Sequence, residues 1–258
     1  MSRRRCAVAV MCAAAILAAG CRGEAPSQQE TAAPVAAPEP PPPLPGESTI
    51  RGVVRFEGTP PPAREIHMAS DPLCMPEGPE GTRSEVVVVG PDNGLQYVFV
   101  YVKDGLGDRT FPPPKTPVVL DQKGCRYSPH VFGVQVGQPV EIRNSDPTLH
   151  NVHAIPKVNA EFNFGQPARV PPMTRVFDKP EIGVPFRCDV HGWMSAYAGV
   201  VPHPFYAVSG PDGSFEIKGL PAGTYTIEAW HEKLGTQTTT VTVDGKTGAT
   251  ASFTFKAT

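Results

Sequence analysis

Apolar residues in this chain recur with a period of two, in short runs cut off by turn formers. That pattern suits strands and leaves little room for helices. Tyr225, Ile227 and Ala229 alternate with Thr226 and Glu228, as expected of a half-buried strand. Comparable runs lie at residues 50–56, 85–89, 95–103, 117–120, 130–136, 139–143, 198–201, 214–217, 224–231, 238–243 and 251–255. Pro91-Asp92-Asn93-Gly94, Pro211-Asp212-Gly213 and Asp244-Gly245 separate them, the residue types that turns select. No segment holds a helical period beyond two turns. The expectation is an all-β chain of sandwich type.

The first 47 residues read differently. Arg3, Arg4 and Arg5 precede a 13-residue apolar stretch, residues 7–19. This has the length of a signal-peptide core and is too short to span a bilayer. It ends in Leu17-Ala18-Ala19-Gly20-Cys21, which resembles a bacterial lipobox. The resemblance implies a signal peptide over residues 1–20 and lipidation of Cys21, hence a membrane-anchored lipoprotein, periplasmic or on the cell surface. Plain secretion and a retained helix are the alternatives. Residues 21–47, with Pro40-Pro41-Pro42-Pro43, cannot bury a core and read as a disordered tether. Export implies an oxidising compartment. Without the three leader arginines, 20 basic residues face 25 acidic ones. That balance argues against nucleic acid as a partner.

The chemistry sits in two stretches. One is Asn144-Ser145-Asp146-Pro147-Thr148-Leu149-His150-Asn151-Val152-His153. The other is Phe186-Arg187-Cys188-Asp189-Val190-His191-Gly192-Trp193-Met194. In the second, a thiol, an imidazole and a thioether recur every third residue after an apolar strand, so one loop can present all three to one point. The first supplies another imidazole from a distant strand end. Two His, one Cys and a weak axial Met are the donor set of a blue-copper electron-transfer centre. Structural zinc prefers more thiolates and rarely takes Met. A binuclear copper centre needs a second Cys nearby, and the loop holds none. A multicopper oxidase needs His-x-His pairs, which the chain lacks. His231-Glu232-Lys233-Leu234-Gly235 starts like a zinc-protease motif but has no second His.

From residue 85 to 203 the chain resembles a cupredoxin domain of the plastocyanin/azurin type, a Greek-key β-sandwich. The resemblance implies one mononuclear copper held by His150, Cys188, His191 and axial Met194, with Asn151 ordering the ligand loop by hydrogen bonds. Cys-x-x-His-x-x-Met is shorter than the plastocyanin loop between His and Met, which leaves blue against green open. His153 is the alternative to His150. The resemblance further implies that His191, flanked by Trp193 and Tyr197, is the electron port. Its partner would be a redox protein such as a c-type cytochrome or an oxidase. Pro185, Phe186, Val190 and Trp193 would supply a dry shell. No general acid–base pair is recognisable beside the site, so the reading is a carrier, not an enzyme. His67, His130, His203 and His231 are read as surface or hydrogen-bonded histidines.

Six cysteines are present. Cys6 and Cys12 fall in the leader and Cys21 is the lipidation site. Once Cys188 goes to copper, Cys74 and Cys125 remain as an even pair, expected as a disulfide. Residues 204–258, with Gly219-Leu220-Pro221-Ala222-Gly223-Thr224-Tyr225, resemble a carboxypeptidase-regulatory-like (prealbumin-like) β-sandwich, which implies a non-catalytic interaction module. Such a module is short at this length. Residues 48–84 are expected as an N-terminal β extension whose first strand completes it, so that the copper domain is an insertion. Two further functions compete with electron transfer: copper handling without a redox partner, and a surface interaction role carried by the sandwiches alone. The aromatic stretch at residues 161–166 reads as a loop.

Overall fold

The computed structural model describes residues 48–68, 70–74 and 83–257. The expected signal peptide (1–20), tether (21–47) and lipidation at Cys21 fall outside the described residues. No helix among the described residues is long and apolar enough to cross a membrane. The strands in chain order are β1 (Ser48–Glu57), β2 (Phe99–Asp104), β3 (Val118–Gln122), β4 (Tyr127–Ser128), β5 (Val131–Gln135) and β6 (Pro139–Asn144). They continue with β7 (His150–Ala154), β8 (Phe162–Gln166), β9 (Met173–Val176), β10 (Glu181–Arg187), β11 (Ser195–Val201) and β12 (Tyr206–Val208). The last are β13 (Ser214–Leu220), β14 (Gly223–His231), β15 (Gly235–Val243), β16 (Ala249–Thr250) and β17 (Phe253–Lys256).

These strands make four sheets and two sandwiches. The first sandwich pairs the sheet β5-β11-β10-β7-β8 with the sheet β4-β3-β6-β9. Alternation sends Leu120, Phe132, Val140, Ile142, Val152, Phe186, Ala196 and Ala198 into one shared core. The second pairs β12-β2-β14-β15 with β13-β1-β16, and β17 adds to β1. Its core holds Ile50, Val54, Phe56, Val100, Val102, Ile217, Tyr225, Ile227, Phe253 and Phe255. At some 25 cal/mol per Å² of apolar surface withdrawn from water, such faces are the main stabilising element of each layer pair.

β1 runs antiparallel to β13 and parallel to β16 and β17, so residues 48–57 share a sheet with the C-terminal strands. Its Gly52 is required by contact: a Cβ there would sit 1.6 Å from the Ala251 carbonyl oxygen. The boundary expected at residue 85 needs correction. β2 falls inside the span assigned to the copper domain, yet it pairs with β12 and β14 of the second sandwich. Its Val100 and Val102 face that core while Phe99 and Tyr101 face the other sandwich, so both faces are apolar for different partners. Residues 85–89 form no strand, only a bridge between Val89 and Leu95. Residues 161–166 are not a loop. Residues 162–166 form edge strand β8, where Phe162 and Phe164 stack with each other and lie under the Arg175 guanidinium.

The two sandwiches meet tightly. Cβ atoms at Gly133 and Gly199 would fall 2.1 Å and 2.3 Å from the Tyr206 and Phe99 rings, so bare backbone of β5 and β11 receives aromatic rings from β12 and β2.

Candidate metal centre

The site lies at one end of the first sandwich. β7 begins with His150, and β10 ends at Arg187, one residue before Cys188. The two strands are adjacent and antiparallel, with Arg187 opposite His153. That register brings the start of one beside the end of the other. The loop from Cys188 to Met194 then turns back into β11, closed by the Met194 amide donating to the His191 carbonyl at 2.9 Å. His150, Cys188 and His191 are buried and offer donor atoms all within 4.8 Å of one another.

The rings are oriented by their outer nitrogens. His150 Nε2 lies 2.8 Å from an Asp146 carboxylate oxygen, and His191 Nε2 lies 3.1 Å from Asp71. An ionised carboxylate only accepts, so each Nε2 carries the proton it donates. Each Nδ1 therefore turns inward. The two Nδ1 atoms are 2.9 Å apart, and His191 Nδ1 is 4.0 Å from the Cys188 sulfur. Two inward-facing ring nitrogens and a sulfur thus converge in a dry space, an arrangement suited to a cation, whether proton or metal ion. The donor set fits a soft transition metal. Met194 is 1% exposed and sits in the same core as Cys188.

Electrostatics follow from these contacts. Burial disfavours a charged Cys188, but hydrogen bonds from His150 and from the backbone amides of His191, Asn151 and Val190 outweigh it and lower the thiol pKa. Burial likewise opposes a charged His150, yet the Asp146 carboxylate and the Cys188 sulfur lift it to about 9. Asp146 is held below its ordinary value despite partial burial, by His150 and by the Cys125 and Gly124 amides. Asp71 is lowered first by the Leu73 amide, then by Thr148 and His191.

Asn151 joins the two loops. Its amide donates to Cys188 Sγ at 3.4 Å, and its side-chain oxygen accepts from the Asp189 amide at 2.9 Å. Tyr127 adds a second clamp, its hydroxyl donating to the Asn151 and Arg187 carbonyls. His153 stands outside the cluster. Strand alternation points it to the opposite face from His150, where Glu161 and Asp189 hold it at 2.8 Å and 3.3 Å. Among the other histidines, His67 is exposed. His130, His203 and His231 are buried and hydrogen-bonded within the protein.

Cys74 and Cys125 form a disulfide. It fastens a strap to the site, and the strap corrects one expectation. His191 is not an exposed port; it is 3% exposed. Asp71 caps its Nε2, and Cys74 Sγ lies 3.7 Å from the same nitrogen. Tyr197 does not flank it either, packing instead on His130, Arg187 and Trp230. Trp193 does contact His191, with ring centroids 5.0 Å apart, and donates its indole N–H to the Cys125 carbonyl. Val190, expected in the dry shell, is 52% exposed.

Sequence reasoning missed Asp71, Asp146 and Tyr127. Asp146 had a signal, since it lies four residues before His150 in an Asn-Ser-Asp-Pro turn. Asp71 had only its closeness to Cys74.

No protein-family model and no curated protein matches the chain. Solved structures that resemble part of it include a copper-containing nitrite reductase from Thermus scotoductus. That match has 24% identity and a TM-score of 0.29, over 37% of this chain and 24% of the reductase, so the chain spans about a quarter of that enzyme. An oxidized mutant of amicyanin matches at 19% identity and a TM-score of 0.30, over 45% of this chain and 93% of amicyanin. A purple cupredoxin from Nitrosopumilus maritimus matches at 20% identity and a TM-score of 0.28, over 32% and 98%.

Proposed function

We propose that this chain is an exported type 1 copper protein that carries single electrons between redox partners. The reading rests on one observation: His150 Nδ1, His191 Nδ1 and Cys188 Sγ converge in a buried space with their outer contacts already made. Those three atoms would hold the ion, with Met194 as the weak axial donor. Copper bound there supplies a one-electron couple.

The remaining work is done by the protein. Asp71 and Asp146 fix both rings, so neither imidazole must turn when the charge of the site changes. Amides of Asn151 and His191 stabilise negative charge on sulfur. The surrounding core of Phe186, Ala196 and Val152 excludes water. Trp193, half-buried against His191, offers a covalent and aromatic route outward. The partner is a redox protein such as a c-type cytochrome or an oxidase. The lipid on Cys21 keeps the chain at the membrane.

The covered edge of His191 favours a second reading, copper handling without a redox partner. Rapid electron exchange with a small cytochrome c supports the first reading, and exchange no faster than background supports the second.

Copper(II) added to the exported chain should give strong visible absorption from sulfur-to-metal charge transfer, and Cys188→Ser should abolish it. A colourless copper-loaded wild-type protein overturns the proposal.

A further inference from the structure

The imidazole pair has two sides. Cys188 faces the Nδ1 side, and the Cys74–Cys125 disulfide lies on the Nε2 side. Asp71, Cys74 and His191 present donor atoms within 4.8 Å of one another, and so do Cys125, Asp146 and His150. Both groups are closed to metal while the sulfurs bond each other, because a disulfide sulfur is a poor ligand and a thiolate a good one.

The strap that carries Cys74 does not depend on the disulfide alone. Ile66 and Met68 are buried in the core of the first sandwich. Asp71 Oδ2 accepts from the Thr148 hydroxyl at 3.0 Å. Cys125 is held from the other direction, since its amide donates to Asp146 and its carbonyl accepts from Trp193. Opening the S–S bond therefore leaves two sulfurs facing each other from anchored backbones 5.4 Å apart at Cα.

We propose that reduction of Cys74–Cys125 creates a second soft-metal site, for Cu(I), beside the first. A dithiol reductant supplies two electrons and two protons. The protein S–S bond breaks, two thiols form, and the dithiol closes to its own disulfide. Each thiol loses its proton on binding the ion. Two thiolates suffice for Cu(I), the softest of the common biological copper states. Asp71 and Asp146 stand at the edges of the site, and neither imidazole needs to give up its Nε2 proton. The inference rests on the copper reading only in assigning the first equivalent to Cys188.

Anaerobic titration with Cu(I) in competition with bathocuproine disulfonate tests it. The full exported chain is compared before and after dithiothreitol, with the reductant removed first. One equivalent is expected with the disulfide intact and two after reduction, with the near-UV circular dichroism of the folded chain retained. Cys188→Ser is expected to take none when oxidised and one when reduced. Cys74→Ser with Cys125→Ser is expected to take one under both conditions. A reduced wild-type chain that binds no more than the oxidised one, or that loses its folded spectrum, overturns the inference. An oxidised chain that binds none overturns the copper reading instead, and the reduced Cys188→Ser protein still decides the second site.

Discussion

The Nδ1 atoms of His150 and His191 lie 2.9 Å apart while both Nε2 atoms are bound to carboxylates. Two neutral rings in this arrangement would set lone pair against lone pair, so the metal-free site is best satisfied by a proton between them. His150, lifted to about 9, is the ring that carries it at neutral pH. Copper must displace that proton. Calorimetric titration at pH 7 in buffers of different ionisation enthalpy should show release of at least one proton per copper. A binding enthalpy independent of buffer would refute this.

Asp71 and Asp146 act on the rings and not on the ion. Groups in that position commonly contribute 10–100-fold to metal affinity. Asp71→Asn and Asp146→Asn should each weaken copper binding by roughly that factor, measured by competition with a chromophoric chelator. Asp189→Asn, which alters the pairing of His153 and Asn163, should leave the affinity within about twofold, as expected for a residue off the ligand rings.

The disulfide closes a loop of sequence separation 51. The chain-entropy account assigns such a loop about 4 kcal/mol. Cys74→Ala with Cys125→Ala should lower unfolding stability on that order, seen as a reduced midpoint in urea. A midpoint that does not move would show that Ile66 and Met68 alone hold the strap.

Burial pushes His203 and His231 down to about 4, against about 6.5 in an unfolded chain. The folded protein keeps both rings neutral. Stability is therefore fully present above pH 6.5 and falls as the pH drops toward 4, where the unfolded chain binds protons that the folded chain refuses. Each ring accounts for on the order of 3 kcal/mol at the acid end. Thermal melts should show this fall, and His203→Gln should shrink it. An equal slope in the variant would exclude His203 as a source.

The local rules were enough for most of the strands, because alternation is written in contiguous residues, and the three-residue repeat marks the loop whose Cys188 and His191 the fold brings beside His150. Parity even separates His150 from His153, since an inward His150 forces its neighbour three places on to face out. What sequence could not supply was contact over distance. β2 has apolar residues on both faces, which reads as any buried strand, and only packing shows that the two faces serve different sandwiches. Residues 161–166 do alternate, Phe162 and Phe164 against Asn163 and Gly165, but the run is short and its rings lie on the half-exposed face of an edge strand under Arg175, so it reads equally well as an aromatic loop. Asp71 reaches His191 across 120 residues, a distance no motif spans.

Lys256 pairs with Glu57 across 199 residues, at the end of the ladder where β1 and β17 run side by side. Contacts of such reach form late, after the shorter loops have closed. During synthesis β1 would meet β13 only after residues 214–220 had emerged, and β17 later still. The first sandwich, whose strands β3 to β11 all lie between residues 118 and 201, can mature during that wait. Removing residues 253–257 should therefore loosen the Val54–Glu57 end of β1 before it disturbs the first sandwich.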